Sequence, residues 1–70
     1  MYSLTRTFPL APLEKIAREA GAERVSVSAV KALREAVLDL ADKIAADAVA
    51  ASRHAGRVTV KASDIKIACR

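Results

Sequence analysis

A single cysteine, Cys69, and a single histidine, His54, occur in this chain of 70 residues. One thiol cannot close an intramolecular disulfide. One Cys and one His are too few for the four ligands of a structural zinc site. No apolar run approaches the ~18 residues that read as a membrane span, and residues 1–8 lack the hydrophobic region of a signal peptide. A Gly-rich phosphate loop is missing, and the lone His has no nucleophile partner, so nothing in the chain is equipped for catalysis. No recognition helix presents Arg, Asn and Gln on one face, which argues against a sequence-specific regulator. The expectations are therefore no enzyme, no cofactor, no metal, no membrane and no small-molecule substrate. One free thiol also suits a reducing, cytoplasmic setting.

What remains is a short chain that is 53% hydrophobic, much of it alanine. A domain this small buries only about 60% of its unfolded surface, and its core rarely supplies more than ~3–5 kcal/mol. With disulfides and metals excluded, association with another chain is the remaining source of stability. The charges are 12 Lys+Arg against 8 Asp+Glu, a net +4, and they are segregated. Residues 24–34 hold three basic groups and no acid, residues 35–47 four acids and one Lys, and residues 53–70 five basic groups and one acid. Two basic blocks flanking an acidic one suit an anionic polymer as partner.

Residues 1–8 form a polar lead without periodicity, read as a flexible extension to a domain over residues 9–70. Pro9 and Pro12 bracket Leu10-Ala11. Proline suits the first helical turn and disfavours helix just before it, so a short helix is predicted to start near Ala11 or Pro12. Leu13, Ile16, Ala17 and Ala20 recur at helical spacing, and Gly21 is placed to cap the C-terminus. Residues 23–26 read as a loop or a very short strand around Val25. Ser26 is the next N-cap, and no Gly or Pro intervenes before Gly56, which predicts one helix over residues 27–54, about 40 Å long. Val58-Thr59-Val60 is β-branched and alternating, so it reads as a three-residue strand. A final short helix is predicted from about Ala62, with Asp64 in its first turn and Ile65, Ala68 and Cys69 on its apolar face.

The long helix carries an apolar stripe of Val30, Leu33, Val37, Leu40, Ile44, Ala48 and Ala51, broadened by Ala29, Ala32, Ala41 and Ala45. Two short flanking helices cannot cover it. A second copy, crossing two-fold near Leu40 and Ala41, meets the burial need of both chains. Its core is expected to be Val30, Leu33, Val37, Leu40, Ala41 and Ile44.

Four ordered motifs then become recognisable: Pro9-Leu10-Ala11-Pro12, Gly21-Ala22-Glu23-Arg24-Val25-Ser26, Arg53-His54-Ala55-Gly56-Arg57 and Thr59-Val60-Lys61-Ala62-Ser63-Asp64-Ile65. In sequence and spacing they resemble the archaeal histones from Pro9 to Arg70, without gaps. The resemblance implies an all-α histone fold, short helix, long central helix, short helix, clasped as a handshake homodimer with short loop strands paired between subunits. It also implies sequence-tolerant binding, bending and compaction of double-stranded DNA on the chromosome, with dimers stacking into tetramers or larger assemblies. The alternative is a histone-fold subunit of a heteromeric transcription-related complex.

Site residues follow from that resemblance. Arg24 is placed to enter the minor groove, as arginines do in histone octamers; its other reading is a structural partner of Asp64 or of a C-terminal carboxylate. Thr59 offers a hydroxyl to phosphate, or is simply a β-branched strand residue. Lys15, Arg18 and Lys61 supply charge to phosphates, although Lys15 and Arg18 also read as solvated. Leu10 and Ala11 open a helix end suited to phosphate. Val58 stands where the family commonly has Lys, which removes up to two phosphate contacts per dimer. Arg57 and Asp64 are expected to form an internal salt bridge. His54 reads either as a helix-end residue or as a donor to Asp64 of a neighbouring dimer, flanked by Ala51 and Ile67. Gly21 keeps stacked dimers free of bulk.

Overall fold

The computed structural model describes residues 8–69. The expected extension lies outside the described residues, apart from Phe8. Three helices occur in order: α1 (Ala11–Glu19), α2 (Val27–His54) and α3 (Ala62–Ala68). The chain forms two compact units, Met1–Leu38 and Asp39–Arg70, with α2 running through both.

In the first unit, α1 begins with Leu10 as N-cap and Pro12 in the opening turn. The Leu10 carbonyl accepts the N–H groups of Leu13 (3.0 Å) and Glu14 (2.9 Å). The helix ends in a Schellman turn. Gly21 N–H donates to the Arg18 carbonyl (3.0 Å) and Ala22 N–H to that of Ala17 (3.2 Å). This closure needs a left-handed residue after the cap, and Gly21 supplies it with φ +117°. A Cβ there meets nothing within 4 Å, so backbone conformation, and not space within the chain, is the local demand for glycine. α2 opens on Ser26, whose Oγ accepts the Ala29 N–H at 3.1 Å, satisfying one orphan donor of the first turn. Leu13, Val30 and Leu38 are buried in this unit.

In the second unit, α2 closes the same way. Gly56, at φ +75°, donates to the Arg53 carbonyl (2.9 Å) and Arg57 to that of Ser52 (2.9 Å). Ala48 is the buried apolar residue here, joined by two polar ones, Ser52 and Asp64. Ser52 Oγ lies 3.2 Å from the Val49 carbonyl, which satisfies its hydroxyl inside the unit. Leu40, Lys43, Ile44 and Asp47 of α2 form an open groove with Ala68 and Cys69.

The three-residue strand expected at Val58–Thr59–Val60 is not formed. Residues 58 and 59 bend, and no strand occurs among the described residues. A strand exists only through hydrogen bonds to a neighbour, and a single chain offers none here. The apolar stripe also needs correction. Val30 and Ala48 are covered, but so are Leu38 and Ser52, which lie one step around the helix from the stripe, while Val37 and Leu40 remain open. α2 therefore presents one face to its own chain and leaves a second apolar face bare.

That imbalance is quantitative. Among the described residues four hydrophobic side chains are buried, whereas nine large ones are exposed: Phe8, Ile16, Val27, Val37, Leu40, Val58, Val60, Ile65 and Ile67. Four buried side chains are too few for a self-sufficient core at this length.

Candidate nucleic-acid interface

The loop between α1 and α2 is built by the glycine turn on one side and the Ser26 cap on the other. Arg24 sits between them, exposed, and its guanidinium meets no hydrogen-bond or ion-pair partner among the described residues. Arg18 behaves differently. Its Nη2 and Nε reach Glu14 Oε2 at 2.9 and 3.3 Å, and its Nη1 donates to the Glu23 carbonyl at 3.3 Å. Lys15 is exposed on α1. The N-terminus of α1, offered to phosphate through Leu10 and Ala11, is poorer in donors than the sequence alone suggests. Pro12 has no N–H, Leu13 N–H is taken by Leu10, and Glu14 adds a negative charge to the first turn.

The loop between α2 and α3 is organised by one ion pair. Arg57 donates from Nη2 to Asp64 Oδ1 (2.8 Å) and from Nη1 to Asp64 Oδ2 (2.9 Å). The same Nη1 reaches the Thr59 carbonyl at 2.9 Å. Asp64 Oδ2 also accepts the Lys61 N–H at 2.8 Å, so a residue in the first turn of α3 reaches back to the N-cap. The Asp64 side chain is 3% exposed and that of Arg57 30%. Asp64 therefore has no capacity left for a second arginine within its chain, which disposes of Asp64 as the alternative partner of Arg24. Val58 is 99% exposed at the loop tip, and Thr59 and Lys61 are exposed beside it.

The Arg57 hydrogen bond, and after it the Lys61 N–H, hold the Asp64 carboxyl below its ordinary 3.8, to about 2, against an opposing effect of burial. In turn Asp64 raises the Arg57 guanidinium further above its ordinary value. A depressed carboxylate pKa adds stability that is complete above the unfolded value near 4 and is lost as pH falls through the folded value. Asp64→Asn is therefore expected to melt lower than the parent at pH 7, with the gap closing between about pH 4 and pH 2. Thermal melts of both proteins across that range check it; a gap that persists unchanged at pH 2 refutes the assignment.

His54 is exposed at the last position of α2, Ala51 is half-buried, and Ile67 is 56% exposed. No group of three metal-ligating side chains is assembled among the described residues. None of the helices is long and apolar enough to cross a membrane. The clasp of Arg18 on Glu14 and Glu23 was not anticipated from the sequence, although Glu14 and Arg18 stand at the i,i+4 spacing that could have signalled half of it.

Comparison with known proteins places this architecture. The chain is 47% identical over 62 residues to the archaeal histone HAN1 of Thermococcus zilligii, spanning 89% of this chain and 92% of the relative. It is 45% identical over 62 residues, with the same coverages, to probable archaeal histone 3 of Methanocaldococcus jannaschii. The profile of the family described as histone-like transcription factor (CBF/NF-Y) and archaeal histone matches residues 6–69. With the short, long and short helices in the matching order, this chain belongs to that family and has the histone fold.

Proposed function

We propose that this protein binds double-stranded DNA without reading its sequence, as a homodimer that bends and compacts the chromosome and stacks into tetramers or larger assemblies. Arg24 is the observation that carries the reading: an exposed guanidinium with no partner among the described residues, on a short loop anchored at both ends. An arginine so presented suits the minor groove, whose negative potential attracts it without any base-specific contact. Lys15, Lys61 and the Thr59 hydroxyl supply phosphate contacts, with a smaller part for the α1 end at Leu10 and Ala11. In an antiparallel pair the basic block around Arg24 comes beside the block around Arg57 and Lys61 of the second copy, which concentrates positive charge at each end. The bare face of α2 and the groove beside Leu40 and Ile44 are where that copy seats. The names of the relatives support the same reading. Nothing in the site performs chemistry, and the role is one of packaging.

Arg24→Ala is the direct test. It is expected to weaken binding to unrelated DNA sequences alike, and to reduce supercoiling or bending more than affinity. Parent binding is expected to fall steeply with salt, because phosphate contacts release counterions. Unchanged topology with Arg24→Ala refutes the minor-groove role.

The family description also includes transcription factors, and a histone-fold subunit pairing with a different chain is the second reading. It requires neither a stable homodimer nor a minor-groove arginine, so the same variant and a concentration series separate the two.

A further inference from the structure

We propose that Arg18 is a positioning residue that acts through Arg24, and is not itself a phosphate contact. The inference rests on the DNA-bending reading above. A guanidinium is a rigid planar fork of donors, and in Arg18 both ends of the fork are engaged. Nε and Nη2 grip Glu14 one turn earlier on α1, and Nη1 grips the Glu23 carbonyl. That carbonyl belongs to the peptide group joining Glu23 to Arg24. Fixing the plane of this peptide relative to α1 fixes the direction in which the Arg24 side chain leaves the loop. Among the described residues it is also the one hydrogen bond made by residues 23–25; the turn at Gly21–Ala22 and the cap at Ser26 hold only the flanks.

A phosphate approaching Arg18 has to compete with a carboxylate already at 2.9 Å, whereas Arg24 has no competitor among the described residues. The two arginines thus divide the work. One is neutralised and aims the loop; the other keeps its charge for DNA.

A double-mutant cycle on DNA bending tests this, read by ligase-mediated cyclisation of short fragments. Arg18→Gln alone is expected to lower bending at least about threefold. In an Arg24→Ala background the same change is expected to add nothing, because the residue it serves is gone. Arg18→Lys restores charge but not the fork, and is expected to behave as Arg18→Gln. Losses that add across the cycle, or full rescue by lysine, refute positioning and return Arg18 to the phosphate contacts. Nitrogen-15 relaxation on free protein supplies a second arm: order at Glu23 and Arg24 is expected to fall in Arg18→Gln while that of mid-α2 stays constant. Unchanged loop order refutes the proposal. If the parent protein does not bend DNA, the DNA reading fails by itself and the relaxation arm decides the role of Arg18.

Discussion

Leu40→Asp is expected to leave almost no folded protein at micromolar concentration, although Leu40 is 59% exposed in the single chain. A substitution at so open a position normally changes stability by no more than about 0.5 kcal/mol. The expectation differs because Leu40 lies where two copies of α2 are proposed to cross. A leucine buried there contributes about 1.5–3 kcal/mol, two-fold symmetry doubles the loss, and each new carboxylate is buried without a partner. Against a total of ~5–15 kcal/mol, such losses leave little. The measurement is thermal unfolding by circular dichroism across a hundredfold range of concentration. The parent midpoint is expected to rise with concentration, as mass action requires of a folded state that exists only in association. A concentration-independent parent midpoint, or an aspartate variant that melts like the parent, refutes the obligate pair.

His54→Ala is expected to leave dimer stability and basal DNA affinity nearly intact but to shorten the DNA protected from nuclease to the footprint of isolated dimers. His54 is exposed at the end of α2, with half-buried Ala51 one turn earlier. Its proposed acceptor is Asp64 of the next dimer. That carboxylate is nearly enclosed and already receives three bonds, two on Oδ2 and one on Oδ1. Each carboxylate oxygen accepts two, so Oδ1 has one site left, and an incoming imidazole must approach closely and from one direction. Such a contact tolerates little misalignment, and Ala51 adds little packing to compensate for its loss. Crosslinking and nuclease digestion on the same DNA decide the matter. An unchanged long footprint returns His54 to a helix-end role beside the C-terminal dipole.

The helices were legible because their limits are written in single residues. Pro12, Gly21, Ser26 and Gly56 act through local backbone chemistry that needs no knowledge of the rest of the fold, and the bounds of α2 follow from them directly. The four motifs made the family legible as well. Harder to read was which way each side chain faces. Val37 and Leu38 are neighbours of equal hydrophobicity on a helix apolar on two sides, and periodicity alone does not say which side its own chain covers. The strand at Val58–Val60 failed for a related reason: its residue types are right, but a strand is a property of two segments. The Arg18 clasp was hidden because half of it is a bond to a main-chain carbonyl, which every residue possesses and no residue type announces. The Arg57–Asp64 pair, by contrast, joins two charged groups seven residues apart, in a motif that had already drawn attention to both.

The loop from Arg57 to Asp64 has one more property. Its path is set by two side chains, those of Arg57 and Asp64, together with the Thr59 carbonyl and the Lys61 N–H. The side chains of Val58 and Thr59 take no part in holding it. The frame and the tip are thus separable: residues at the tip can be exchanged for lysine, serine or glutamate while the frame keeps its course. A loop of this kind is a socket with interchangeable fittings, and a valine at its apex is one setting of a dial that mutation can turn in single steps without remaking the fold.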